Sequence, residues 1–284
     1  MFIKQGVKFF MIGNITIFDC TFREAGYQTG WFFDKDFCID YYKFAQAAGI
    51  DYLELGFFHN KEADPNRGYF RYCSLCNDEI KDIFLSTKNT VKLSAMRDIQ
   101  RPLSDLLPKK ETVIDAVRIL TRSSETDFKI LEKHINEIKK LGYEVFVNFT
   151  SSGHNTMERN KEFAKFAVAH EIPVIYFADT ESIFTPEYVR HTIELCREEG
   201  VEAGIHLHDK NGTAEMLLDV ALHYGCKYAD ITMMGLGGKW HDGNLATEYF
   251  LRKYNYNPGD EQTRLKTMLI QNLIKYNKST AAVL

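Results

Sequence analysis

Short runs of β-branched and aromatic residues alternate with stretches whose apolar positions recur every three or four residues, nearly from end to end of the chain. The runs that predict strands are 15–20, 52–57, 90–95, 116–120, 145–149, 174–178, 203–208 and 228–233. Between them, Phe128, Ile130, Leu131, Ile135, Ile138 and Leu141 keep helical spacing. Thr185-Pro186-Glu187 supplies an N-cap and an N1 proline, and Gly200 closes that helix. Met216, Leu217, Val220, Ala221 and Tyr224, followed by Gly225, repeat the grammar. Eight β/α units in one uninterrupted series predict an α/β fold, a (β/α)8 TIM barrel, rather than an open doubly wound sheet.

No linker-like stretch divides the chain, so residues 1–284 read as a single barrel domain. Residues 1–13 read as an N-terminal extension without the sustained apolar core of a signal peptide, with Met11 available as a later start. Residues 256–284 read as a C-terminal helical tail, with a helix pattern over 260–275. The longest polar interruption, His59 to Arg71, reads as an enlarged loop after the second strand.

With 45% apolar and 26% charged residues, the composition is that of a soluble chain with a sizeable core. The net charge of −4 and the lack of a Lys/Arg stripe argue against nucleic acid as a partner. No apolar run reaches membrane-spanning length, and a soluble, cytoplasmic protein is expected. The six cysteines do not form a disulfide framework pattern, and Cys73-Ser-Leu-Cys76 lacks the second pair a structural zinc site needs.

Candidate chemistry begins at His206-Leu207-His208. On a strand, positions i and i+2 share a face, so both imidazoles point one way and need only an oxygen ligand to form a metal site. The other strand ends are as rich. Strand one runs into Asp19-Cys20-Thr21-Phe22-Arg23-Glu24-Ala25-Gly26-Tyr27, strand two carries Glu54, and strand eight precedes a glycine-rich turn, 235–238, that leads to Gly243-Asn244. Strand ends are where barrels place chemistry.

These motifs resemble those of the DRE-TIM metallolyases, which include 3-hydroxy-3-methylglutaryl-CoA lyase, isopropylmalate and homocitrate synthases, and 4-hydroxy-2-oxovalerate aldolase. The strand-one motif resembles D-x-T-L-R-D-G, residues 205–212 its H-x-H…N-G segment, and residues 235–248 a G-L-G-G…G-N-L-A-T-E signature. Asp179-Thr180 fits as well. The Asp-Cys-Thr-x-Arg-x-x-Gly-Tyr pattern and the lack of a regulatory domain place the chain nearest the aldolase-type branch.

The resemblance implies a divalent ion, Mn²⁺ or Mg²⁺ with Zn²⁺ as an alternative, held by Glu24, His206, His208 and Asn244. It implies Arg23, Glu54 and Tyr27 as catalytic residues, and Asp19, Thr21, Asp209, Asn211 and Gly237 around the substrate or behind the ligands; Arg118, outside these motifs but late in strand four, is a further candidate there. Arg118 is left open between the barrel mouth and a buried ion pair; Arg67 and Arg71 are candidates to grip a substrate carboxylate or phosphate. The implied activity is cleavage or formation of a carbon–carbon bond in a 2-oxo acid through a pyruvate-type enolate. Alternatives are acyl-CoA-dependent Claisen condensation and a non-catalytic barrel that binds a ligand or partner. A homodimer is implied by resemblance alone.

Five departures from the family pattern bear on this. Glu24 stands where the pattern has Asp, Ala25 replaces a glycine, and Tyr27 stands near the position of an aldolase histidine. Lys239 occupies the place of the acyl-CoA lyase's loop cysteine, and Glu181-Ser182 follows Asp179-Thr180 in place of x-G.

Overall fold

The computed structural model describes residues 15–87, 90–237, 243–254 and 257–280. Its strands are β1 (Thr16–Asp19), β2 (Tyr52–Phe57), β3 (Lys92–Asp98), β4 (Ala116–Arg122), β5 (Glu144–Thr150), β6 (Val174–Asp179), β7 (Glu202–Leu207) and β8 (Tyr228–Ile231). Each pairs in parallel with its neighbours in sequence, and β8 pairs with β1, closing the barrel. The helices are α1 (Thr21–Thr29), α2 (Lys35–Ala47), α3 (Asn77–Phe84), α4 (Phe128–Lys140), α5 (Met157–Ala169), α6 (Pro186–Glu199), α7 (Ala214–His223), α8 (Thr247–Lys253) and α9 (Asp260–Thr280).

All eight expected strands are present, and the differences lie at their ends. β3 runs past the expected end at residue 95 through Met96-Arg97-Asp98, where the buried Arg97 donates from Nη2 to Glu137 on α4 while its backbone stays in register with β4. β8 stops at Ile231, before Met234 takes a left-handed φ of 61°. α6 begins and ends as its caps dictate, with Thr185 Oγ1 accepting from the Tyr188 amide and Gly200 left-handed at φ 93°.

The core has two compartments. A large one fills the space between the barrel wall and the helices. A small one, built from Phe18, Tyr52, Ala116, Phe146, Val174 and Tyr176, plugs the barrel itself. Phe18 stacks on Tyr52 at 4.1 Å, and Phe146 meets both edge-on. Gly204 belongs to this packing, since a Cβ there would fall 2.6 Å from the Tyr176 ring.

Strand alternation then puts Cys20, Glu54, Arg118, His206 and Asp230 two residues beyond plug or barrel-facing positions, toward the strands' C-terminal ends. The plug is a largely aromatic floor, and the charged layer stands on it. Arg118 Cζ lies 4.9 Å from the Phe18 ring and 4.7 Å from that of Tyr176.

α9 packs on α1 and α2, burying Leu265 and Leu269. Its Asn272 accepts from the Asp34 amide at 2.7 Å, and Tyr276 donates to the Asp34 carboxylate at 2.7 Å. No helix among the described residues is long and apolar enough to cross a membrane.

Candidate active site

Two arginines and three carboxylates close a ring in the barrel mouth. Arg23 Nε donates to Glu54 Oε1 at 2.5 Å. Glu54 also accepts from Arg118, Nε to Oε2 at 2.7 Å and Nη2 to Oε1 at 2.6 Å. Arg118 Nη1 reaches both oxygens of Asp230, at 2.9 and 2.7 Å. Asp230 Oδ2 lies 2.8 Å from His206 Nδ1, His206 Nε2 lies 3.6 Å from Glu24 Oε1, and Glu24 pairs back to Arg23 Nη1.

All six side chains are buried, Arg118 completely. Burial alone would lower an arginine's pKa, but Asp230 and Glu54 hold that of Arg118 well above its ordinary value, and Glu24 and Glu54 do the same for Arg23. Burial would raise that of Asp230, yet Arg118, followed by His206, holds it below the ordinary carboxylate value.

The assignments made from sequence fall into three groups. Arg23, Glu24, Tyr27, His206 and His208 line a cavity of about 690 Å³ at the C-terminal end of the barrel. The His206 and His208 rings lie 5.2 Å apart at 78°, and His208 bridges to the backbone of Asn244. Gly237 lies against Glu24 and Asn244: a Cβ there would meet Asn244 Nδ2 at 2.0 Å and Glu24 Cβ at 2.6 Å. Its φ of 143° is one that few other residues adopt.

Glu54 and Arg118 stand outside the cavity lining. Of the two alternatives for Arg118, the buried ion pair is the one observed, and Glu54 positions both arginines. Asp19 and Thr21 anchor the β1–α1 turn: Asp19 accepts from the Thr21 amide at 2.8 Å and from Tyr41 Oη at 2.7 Å, while Thr21 Oγ1 accepts from the Met233 amide at 2.8 Å. Burial pushes the Asp19 pKa up to about 6 despite these bonds.

Asp209 and Asn211 shape the loops farther out. The Asp209 carboxylate accepts from the Ala214 amide at 2.8 Å, and its backbone amide donates to Gly243 beside Asn244. Asn211 Nδ2 donates to Ser182 O at 2.7 Å. Asp179 accepts from the Ile183 and Phe184 amides, and Ser182 takes a left-handed φ of 55° in that turn. Lys239 lies outside the described residues.

Tyr27 packs between Trp31 and Phe57, with ring centroids at 5.1 and 6.4 Å. Burial, and then Glu24, push its phenol up to about 12, so it is a neutral donor and not a base at ordinary pH. Arg67 and Arg71 also line the cavity, each with Nε on Asp64.

Sequence reasoning missed Asp230, His59 and Asn148. Asp230 had a legible signal, an acid inside the apolar β8 run, just as Glu54 sits in β2. His59 continues the β2 alternation two residues past Phe57, and Asn148 shares a β5 face with Phe146.

The residues fit a divalent cation. Asn244 Oδ1 is buried with no hydrogen-bond partner among the described residues, while its Nδ2 is held by Leu236 O at 3.0 Å, which leaves the oxygen available to a ligand. The ring carries three carboxylates against two guanidiniums, a deficit that a cation at Glu24 and His206 would correct. Cys20, His206 and Asp230 also converge, with candidate ligand atoms within 4.8 Å of one another. Arg118 excludes a cation there, with Nη1 on Asp230 and Nη2 3.2 Å from Cys20 Sγ, and burial leaves Cys20 a neutral thiol.

The HMGL-like family model matches residues 78–274. 4-Hydroxy-2-oxovalerate aldolase 2 of Salinispora arenicola is 21% identical over 79% of this chain and 64% of its own length. 2-Isopropylmalate synthase 2 of Caldanaerobacter subterraneus is 24% identical over 85% of this chain and 62% of its own. The chain thus spans a little under two thirds of either relative. Among solved structures, the N-terminal domain of a candidate aldolase from Bacteroides vulgatus superposes with a TM-score of 0.75 at 24% identity, covering 92% of this chain and 88% of that one.

Proposed function

The chain belongs to the HMGL-like family, a branch of the DRE-TIM metallolyases, and from that premise we propose that it is a divalent-metal-dependent carbon–carbon lyase or aldolase acting on a 2-oxo acid. The observation that carries the reading is the fixed His206: Nδ1 is held by Asp230, which leaves Nε2 directed at Glu24, beside the cavity. Glu24, His206, His208 and Asn244 would hold the ion. It would act as a Lewis acid on the oxygens of the substrate's 2-oxo acid group.

The chain's own residues supply the rest. Arg23 is fixed by Glu54 through Nε and carries a buried Nη2 with no hydrogen-bond partner among the described residues, a donor for the negative charge that develops on an enolate oxygen. In the cleavage direction the substrate hydroxyl gives its proton to a base from solvent, the carbon–carbon bond breaks to release a carbonyl product, and the enolate carbon takes up a proton. Tyr27, neutral and facing the same cavity, is suited to deliver that last proton. The aromatic floor and the buried ring keep these charges strong by excluding water.

Exchange of the pyruvate methyl protons for deuterium tests the reading, because it needs enolate formation and no second substrate. Exchange that depends on added Mn²⁺ or Mg²⁺ and vanishes in His206→Ala is the expected result. Metal-independent exchange, or none with any divalent ion, would overturn it. Thioester cleavage of acetyl-CoA in the presence of a 2-oxo acid, with no exchange, would instead support Claisen condensation.

A further inference from the structure

Beside the β1 end and round the mouth from those of β7 and β8, the loops after β2 and β3 and the end of β4 bring Arg67, Arg71, Arg101 and Arg122 to the same cavity. Asp64 and Asp98 are the acids among them. Arg67 and Arg71 each spend Nε on Asp64, at 3.1 and 2.6 Å, and Arg101 Nε lies 3.5 Å from Asp98. The terminal nitrogens of these three guanidiniums make no hydrogen bond among the described residues. Arg122 is met by Glu125 at 3.3 Å. The remaining rim acid, Glu181, accepts from Ser151 on the far side of the mouth, after β5.

Arg71 is set rigidly. It is 9% exposed, with its guanidinium 4.0 Å from the Trp31 ring and 4.8 Å from that of Phe57. Contact with both rings, which meet edge to face at 84°, fixes the guanidinium while its Nη atoms make no hydrogen bond among the described residues. Beside it stands His59, 3% exposed, whose Nε2 is buried with no partner among the described residues. Burial, then the charge of Arg71, push the His59 pKa down to about 3, so the ring is neutral and has one N–H to donate. Guanidinium edges with no protein acceptor among the described residues, gathered around a neutral imidazole, offer charge-assisted donors that an anion entering the cavity would complete.

We infer that Arg71, Arg101, Arg67 and His59 form a second anion subsite, so that the substrate is a 2-oxo acid with a further carboxylate or phosphate at its far end. The inference rests on the proposed function, which assigns the near end of the substrate to Arg23 and the β1, β7 and β8 residues. Arg71 acts as the anchor because its plane is fixed before the ligand arrives, and Arg101, on the exposed rim, adds charge. The selectivity that follows favours substrates with two anionic ends over pyruvate-like acids with one.

Titration calorimetry on the full chain with Mg²⁺ tests this, with inorganic phosphate and succinate as the two anion sources and oxalate as the mimic of the enolate end. Phosphate or succinate is expected to bind, and whichever binds tighter identifies the far-end group. Arg71→Met and Arg101→Gln should each weaken that probe relative to oxalate, by about tenfold for Arg71, the scale of one charge-assisted contact. His206→Ala should keep the probe's binding, which separates the subsite from the ion. The exposed Arg101 keeps the test valid if Arg71→Met fails to fold. No binding of either probe, an unchanged ratio to oxalate in both variants, or loss of the probe in His206→Ala would overturn the subsite. Failure of oxalate alone, with phosphate or succinate still bound and sensitive to Arg101, would count against the proposed function and leave the subsite standing.

Discussion

His206 Nδ1 lies 2.8 Å from Asp230 Oδ2, and Asp230 is itself gripped through both oxygens by Arg118 Nη1. An imidazole held this way donates from Nδ1 and keeps the lone pair of Nε2 for a ligand. Metal content should report this directly. About one divalent ion per chain is expected for the parent under the ligand rules for mixed oxygen and imidazole sites. His206→Ala should remove it, and Asp230→Asn should weaken it by about tenfold or more. Full metal retention in both variants, measured by elemental analysis after dialysis, would remove the site from consideration.

Gly237 offers a steric test that leaves every ligand in place. In Gly237→Ala the new methyl would fall 2.0 Å from Asn244 Nδ2 and 2.6 Å from Glu24 Cβ, so one of them must move. The expected result is lost metal binding, with a cooperative unfolding transition that is kept but shifted to lower stability by the strain at this φ. A variant that binds the ion as well as the parent would show that Asn244 and Glu24 do not close around it.

Glu54 separates positioning from contact. Glu54→Gln removes the charge that Arg23 and Arg118 share, and Arg23 then drifts from its set position. A loss of about a hundredfold in turnover is expected, the scale of an ångström-sized misplacement, with KM changing less. If KM rises and kcat is untouched, Arg23 only binds substrate.

Arg118→Met tests stability. It strands Glu54 and Asp230 as buried carboxylates above an aromatic floor, at a cost of about 3–5 kcal/mol. Urea unfolding should show that loss, with partial recovery in Glu54→Gln/Arg118→Met. No recovery in the double variant would mean that lost packing against Phe18 and Tyr176, not unpaired charge, is the cause.

Asp19 gives a pH signature. Its folded pKa of about 6 lies above the 3.8 of an ordinary aspartate, so the folded state holds this proton more tightly. The stabilisation is fully present below pH 3.8 and is lost as pH rises through about 6, by about 3 kcal/mol for a shift of this size. Asp19→Asn should therefore lose less stability than the parent between about pH 4 and pH 7. Parallel pH profiles for the two proteins would refute the shift.

The barrel was legible in the chain because its physics is periodic. Strand runs, helix spacing, and caps such as Thr185 and Gly200 are local, and closure follows from eight repeats of one unit. The clustering of His206, His208, Arg23, Glu24 and Asn244 was legible for a related reason: strand alternation and the strand-end rule bring them to one mouth. What the tertiary structure decided is pairing. Nothing local links Arg118 to Glu54 and Asp230, which are 64 and 112 residues away, because a buried charge chooses its partner by closure of the sheet. The same holds for Arg71, whose place between Trp31 and Phe57 depends on how a long loop folds back across the barrel mouth. Sequence periodicity sets which way a side chain points, and three-dimensional packing alone sets what it meets there.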